Sequence, residues 1–178
     1  MKLVFSLAAA LMISACSAQP PSSAPQADAI SAHSIFLVRH AEKTAEKPDP
    51  ALTAAGEARA IALADRLAGE GITDIHSSDT KRTRDTAAPL AEKLGLDVQL
   101  YDPSDLPAMA AKLKAASGRH LVVGHSNTTP QLTELLGGDG GTPIVEATEY
   151  DRLYIVTTEA GQPVKSYLTR YGQKSEVE

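Results

Sequence analysis

The stretch "SIFLVRHAEK", residues 34–43, decides the fold. Ile35 to Val38 form an unbroken apolar run that ends abruptly in Arg39-His40. A short run without polar alternation fits a strand buried on both faces, as in a parallel sheet covered by helices. Such a strand needs neither a cation nor an imidazole, and burying a charge is costly unless something pairs with it. Arg39-His40 therefore calls for a reason beyond the strand.

Working outward, strand-like and helix-like segments alternate. "LTAAGEARAIALADRLAGEG" (52–71) reads as a helix with Thr53 as N-cap, Ile61, Leu63 and Leu67 facing inward, and a glycine at its end. "ITDIHSS" (72–78) is a short strand, and "DTKRTRDTAAPLAEKLG" (79–95) a second helix with Asp79 as N-cap and Gly95 as its stop. A strand "DVQLYD" (97–102) and a helix "LPAMAAKLKAAS" (106–117) follow. Then come a strand "HLVVGH" (120–125) and a helix "PQLTELLGG" (130–138). Residues 151–171 read as two strands joined by a turn at Gly161 and Pro163. Alternation of this kind predicts an α/β three-layer sandwich, a mainly parallel sheet with helices on both faces. In such sheets ligands bind beyond the carboxyl ends of the strands. The groups at those ends are Arg39-His40, Ser77-Ser78, Asp102 and Gly124-His125.

The 178 residues suffice for one domain with a sizeable core. Net charge is −5 and no basic tract occurs, which argues against a nucleic-acid partner. The N-terminus reads as a separate segment. Lys2 precedes an apolar stretch, Leu3 to Ala15, too short to span a bilayer, which takes roughly 20 residues. It ends in Ile13-Ser14-Ala15-Cys16, and Cys16 is the only cysteine, so no intramolecular disulfide is possible. The arrangement resembles a bacterial lipobox, in which the Cys is lipidated and becomes the new N-terminus; an ordinary secretory signal cut near Ala18 is the alternative. Residues 17–32, rich in Pro, Ser and Ala, read as a flexible tether. The expected organisation is signal and lipidated Cys at 1–16, tether at 17–32 and folded domain at 33–178. The protein would be lipid-anchored in the cell envelope and face the periplasm. Ser17, not Asp, after the Cys favours the outer membrane over the inner.

Two His, two Arg and a carboxylate at one sheet edge suit phosphoryl transfer. A phosphate monoester carries about two negative charges, which cations must hold. An imidazole attacks phosphorus to give a covalent intermediate, and a carboxylic acid protonates the leaving oxygen. Neither an HExxH pattern nor a Cys/His pair is present, so the reading involves no metal and no other cofactor.

"LVRHAEK", "HSSDTKRTRDTA" and "LVVGHSNT", in that order, resemble the histidine phosphatase superfamily, also called phosphoglycerate mutase-like. The resemblance implies that His40 is the nucleophile and that Arg39 binds phosphate. Arg82 falls on the second phosphate-binding arginine, and His125 on the second histidine, which contacts the phosphoryl group. Asp79 and Thr83 stand where the family pattern has Pro and Ala. Many members place a Glu just after the third strand, where this chain has Asp102. Asp102 is thus the first candidate acid, with Asp105 and Glu42 as alternatives. Ser78 and Asn127 are candidate hydrogen-bond donors to phosphate or leaving group. Arg59 and Arg84 read as exposed helical residues, and His33, His76 and His120 as structural or exposed. The expected activity is hydrolysis of a phosphorylated small molecule or glycan through a phosphohistidine, without metal. The segments between motifs are short, which favours an open site and hydrolysis over a mutase's closed pocket. A non-catalytic lipoprotein that binds phosphate or phosphoglycan in the same pocket is the second reading.

Overall fold

The computed structural model describes residues 33–159 and 161–175; the lipobox at Cys16, the tether and the chain's last three residues lie outside them. Its elements are β1 (His33–Arg39), α1 (Ala54–Leu67), β2 (Asp74–Ser78), α2 (Lys81–Leu94), β3 (Val98–Tyr101), α3 (Leu106–Ala115), β4 (Gly118–Gly124), α4 (Thr128–Leu135), β5 (Arg152–Thr158) and β6 (Lys165–Arg170). They form one six-stranded sheet in the order β3-β2-β4-β1-β5-β6. The pairings β2–β3, β2–β4 and β1–β4 are parallel. β5 pairs antiparallel with both β1 and β6, so it alone runs against the rest.

The apolar run of β1 feeds both faces of this sheet. Phe36 and Val38 join one core with Leu63 and Leu67 of α1 and Leu90 of α2. Ile35 and Leu37 join another with Met109 and Leu113 of α3 and Leu132 of α4. The period-2 geometry of a strand sends alternate residues to opposite helical layers, which gives the expected three layers. Each buried Leu, Ile or Phe contributes roughly 1.5–3 kcal/mol.

The helix ends differ from the sequence reading in instructive ways. Thr53 caps α1 as expected, its Oγ1 accepting from the Gly56 amide at 3.1 Å. Gly95 closes α2 in the left-handed conformation. Asp79 is not the cap of α2: the N-cap is Thr80, and the Asp79 carboxylate pairs with Arg84 on the solvent side. The Lys81 amide instead donates to the carboxylate of Asp49, 32 residues upstream, at 2.9 and 3.0 Å. Ile61 does not face inward but is 55% exposed, whereas Leu63 and Leu67 are buried.

Candidate active site

The parallel register sets the site. Arg39 lies opposite Gly124, and Ser77 opposite Val123, so β1, β2 and β4 end together and release His40, Ser78 and His125 at one edge. The His40 amide donates to the Gly124 carbonyl at 2.9 Å, carrying the ladder one residue past β1. Gly124 has to be small. A Cβ there would come within 2.9–3.0 Å of Tyr101 Oη and the hydroxyls of Thr128 and Thr129.

His40 is 3% exposed. Its Nδ1 lies 2.8 Å from the Ala41 carbonyl, which only accepts, so Nδ1 carries the proton and donates. This fixes the tautomer with the lone pair on Nε2, which has no hydrogen-bond partner among the described residues. The backbone that supplies this carbonyl is itself held: the Ala41 amide donates to Thr86 Oγ1 at 2.9 Å, and Thr86 donates to the Arg82 carbonyl. Burial pushes the His40 imidazole down to about 3, with Arg39, Arg82 and His125 adding to the shift and the Ala41 carbonyl opposing it. At neutral pH the imidazole is therefore uncharged, with its lone pair on Nε2.

His125 meets His40 edge-on, with ring centroids 5.6 Å apart. Its Nδ1 is 3.4 Å from Arg82 Nη2, which only donates, so this nitrogen accepts. The proton therefore sits on Nε2, 2.9 Å from Ser78 Oγ. Ser78 passes the contact on to Thr83 Oγ1 at 3.1 Å, and Thr83 donates to the Ser78 carbonyl. Burial, then the charges of Arg82 and Arg39, lowers His125 to about 4. Ser78 is thus a buried link that orients His125. Thr83, which stands where the family pattern has Ala, completes that link.

Both arginines come to this edge. Arg39 is 1% exposed. Its Nη1 and Nη2 donate to the carbonyls of Glu149 (2.9 Å) and Glu146 (2.8 Å), and its guanidinium stacks 4.0 Å above the Tyr150 ring. Its Nε–H and that of Arg82 are buried without hydrogen-bond partners. Burial lowers the Arg39 pKa, opposed first by Tyr150 and Glu146. Tyr150 also faces His40, with centroids 6.1 Å apart. Arg82 lines an open cavity of about 490 Å³ with Lys43, Lys47 and Glu146. The segment 146–150, which sequence reasoning passed over, forms the wall beside Arg39 and His40.

The carboxylates fall elsewhere than expected. Asp102 is exposed at the end of β3, and its Oδ1 accepts from the Ser104 amide (2.8 Å) and hydroxyl (2.7 Å), a side-chain-to-backbone turn. Asp105 caps α3 by accepting from the Ala108 amide. Neither makes a contact with His40 or His125. Glu42 is held by Arg59 through three contacts of 2.7–3.0 Å. Arg59, read as an exposed helical residue, is 5% exposed and also donates to the Tyr171 carbonyl. Asn127 starts α4, exposed and without a side-chain cap bond. The described residues contain no group of three or more His, Cys, Asp or Glu arranged to hold a metal ion.

Comparison with known proteins bears on this geometry. Residues 35–103 match the model of the histidine phosphatase superfamily (branch 1). Over 76 residues the chain is 45% identical to the "Probable phosphoglycerate mutase GpmB" of Escherichia fergusonii, a match covering 39% of this chain and 35% of the relative. The chain thus spans about a third of the length of the curated relatives it matches. The protein histidine phosphatase SixA, solved with tungstate, superposes with a TM-score of 0.61 at 17% identity, covering 77% of this chain and 96% of that one. Mycobacterial glucosyl-3-phosphoglycerate phosphatase superposes with a TM-score of 0.60 at 15% identity, covering 79% and 98%. At these identities the superpositions establish the fold. The family match covers residues 35–103, the part of the chain that carries Arg39, His40, Ser78 and Arg82.

Proposed function

From the histidine phosphatase superfamily pattern, we propose that this chain hydrolyses phosphate monoesters through a phosphohistidine at His40. The observation that carries the proposal is the state of that imidazole: Nδ1 locked on the Ala41 carbonyl, Nε2 unpartnered, and the ring held neutral between two arginines. Nε2 attacks phosphorus in line, a P–N bond forms, the ester P–O bond breaks and the alcohol leaves. Arg39, Arg82 and His125 surround the phosphoryl oxygens and stabilise charge that builds on them, with no reorganisation at the moment of reaction. The Nε–H groups of the two arginines, buried without partners, are the donors best placed to gain from an anion. Water then attacks the phosphohistidine and releases phosphate. No step needs a metal ion.

Hydrolysis is favoured over phosphoryl retention by the shape of the site. The cavity at Arg82 is bordered by Ala45, Glu46, Lys47 and Pro48, all exposed, so water has ready access and a bulky alcohol has room. We place the protein in the bacterial envelope, lipidated at Cys16 and facing the periplasm, on the sequence of residues 1–32 alone. Its substrate would then be a periplasmic or envelope phosphomonoester, such as a phosphorylated glycan.

The test is rapid quenching into alkali of enzyme mixed with labelled substrate, with EDTA present throughout. An acid-labile label on His40, formed and consumed at rates compatible with turnover, is the expected result. Turnover without label would mean direct attack by water. Phosphate binding without turnover would leave a binding protein using the same pocket.

A further inference from the structure

The geometry points to Glu146 as the group that protonates the leaving oxygen. This rests on the phosphatase reading above and supplies the acid that reading lacks. The carboxylates expected in the role are all engaged: Asp102 by Ser104, Asp105 by the amide of Ala108 and Glu42 by Arg59. Glu146 is different. Its carboxylate makes no ion pair and no hydrogen bond among the described residues. It lines the same cavity as Arg82. Its electrostatic influence also reaches Arg39, the residue next to the nucleophile.

The backbone at Glu146 is also held in place, which fixes where its carboxylate can reach. Arg39 Nη2 grips its backbone carbonyl at 2.8 Å, and Nη1 grips that of Glu149 at 2.9 Å. Behind this two-point hold, the buried Glu149 carboxylate accepts from Arg152 at 2.7 and 2.8 Å and from the Val145 amide at 3.1 Å. The loop around Glu146 is therefore fastened from both sides while its side chain is free. Glu46 borders the cavity too, in a run tied at Asp49 to the Lys81 amide, whereas the Glu146 carbonyl is bonded directly to Arg39.

In the first step Nε2 of His40 bonds to phosphorus, the P–O bond breaks, and the leaving oxygen takes the proton of Glu146. The imidazolium keeps its Nδ1 proton on the Ala41 carbonyl. In the second step Glu146, now a carboxylate, takes a proton from the attacking water. The P–N bond breaks, phosphate departs, and both residues return to their starting states.

The experiment compares wild type, Glu146→Gln and Glu146→Asp in single-turnover quench with p-nitrophenyl phosphate and an alkyl phosphate. General acid catalysis is typically worth about 10²–10⁴-fold. Transfer from the alkyl ester to His40 should therefore fall at least ~100-fold in Glu146→Gln. Transfer from the nitrophenyl ester, whose leaving group departs unaided, should stay within about threefold. Labelled phosphohistidine should then accumulate, because its hydrolysis has lost a base, and Glu146→Asp should recover part of the alkyl rate. Equal effects on both esters, no effect on either, or a selective loss in Glu46→Gln instead would overturn the assignment while leaving His40 chemistry intact. A wild-type protein that turns over neither ester would overturn the phosphatase reading itself.

Discussion

The same strands carry histidines at both ends of the sheet. At the carboxyl end, His40 and His125 meet edge-on beside Arg39 and Arg82. At the amino end, His76 stacks on His120 with centroids 5.4 Å apart, and His33 meets His120 edge-on at 5.6 Å. His76 Nε2 lies 3.2 Å from His120 Nδ1, and His120 Nδ1 lies 3.8 Å from Asp74. Burial depresses His76 and His120 as it does the upper pair. Burial and a lowered pKa therefore do not distinguish a reactive imidazole from a structural one. Company does. The upper pair has two guanidiniums with unpartnered Nε–H groups and an adjoining cavity. The lower trio lies within electrostatic reach of Asp74 and Lys112, and His76 Nδ1 and both ring nitrogens of His33 are buried without hydrogen-bond partners.

Mutation is the sharpest way to break this comparison. His40→Ala should lower turnover on the order of 10⁴-fold or more, as removal of a covalent nucleophile does, and abolish the acid-labile label. Tungstate or phosphate affinity should change little, since both arginines remain. If His40→Ala and a lower-cluster variant such as His76→Leu reduced turnover equally, the distinction would collapse into one of folding.

Arg82→Ala probes the charge side of the contrast. A charge-assisted hydrogen bond is worth about 1.5–3 kcal/mol, so tungstate affinity measured by calorimetry should fall roughly 10- to 150-fold. Loss of turnover with unchanged affinity would mean that Arg82 serves only to orient His125 Nδ1.

Acid stability distinguishes the clusters more gently. An unfolded histidine takes a proton near 6.5, whereas folded His76 and His125 hold out to about 4 and His40 to about 3. Across that interval the unfolded chain binds more protons, so stability is full above about pH 6.5 and declines as pH falls towards the folded values. Each group adds up to about 1.4 kcal/mol per pH unit. His76→Leu should make the decline shallower by about one proton while keeping neutral-pH turnover within severalfold. Tungstate should protect the wild type in the same interval, because an anion stabilises protonated His40 and His125 but reaches nothing at the amino end. An unchanged slope in His76→Leu, read by urea titration at several pH values, would show that His76 does not stay neutral.

What the sequence made legible was whatever repeats or is local. The apolar run of β1, its counterpart in β4 and the Arg-His and Gly-His pairs at their ends placed the sheet and the two histidines, because strand period and parallel direction follow from neighbouring residues. What escaped depends on segments without a period. Arg59 looked like any exposed helical arginine because its partner, Glu42, lies 17 residues away in a loop. Asp79 looked like a helix cap because Asp49, which does the capping, is remote in sequence. Tyr150 and Glu146 gave no signal at all. They sit in a stretch with no helical or strand pattern, and only the reach of Arg39 across more than 100 residues brings them beside His40.

The smallest expected effect concerns Asp102, the carboxylate that sequence position favoured as the acid. Both of its contacts are acceptances, from the amide and hydroxyl of Ser104. Those bonds hold its pKa below the ordinary carboxylate value, the wrong direction for a proton donor at neutral pH. An asparagine at 102 still offers a carbonyl oxygen to the same two donors. Asp102→Asn should thus leave stability within about 0.5 kcal/mol, as surface changes usually do. It should also leave the alkyl-to-nitrophenyl rate ratio unchanged, because a charge held in an exposed turn is not at the reacting atoms. Asp105→Ala, which removes the cap of α3, should cost about 1 kcal/mol and likewise spare the ratio. If Asp102→Asn lowered that ratio, the turn at Ser104 would have to open during catalysis. Asp102, not Glu146, would then be the acid, and the division between the wall built by Arg39 and the turn after β3 would be reversed.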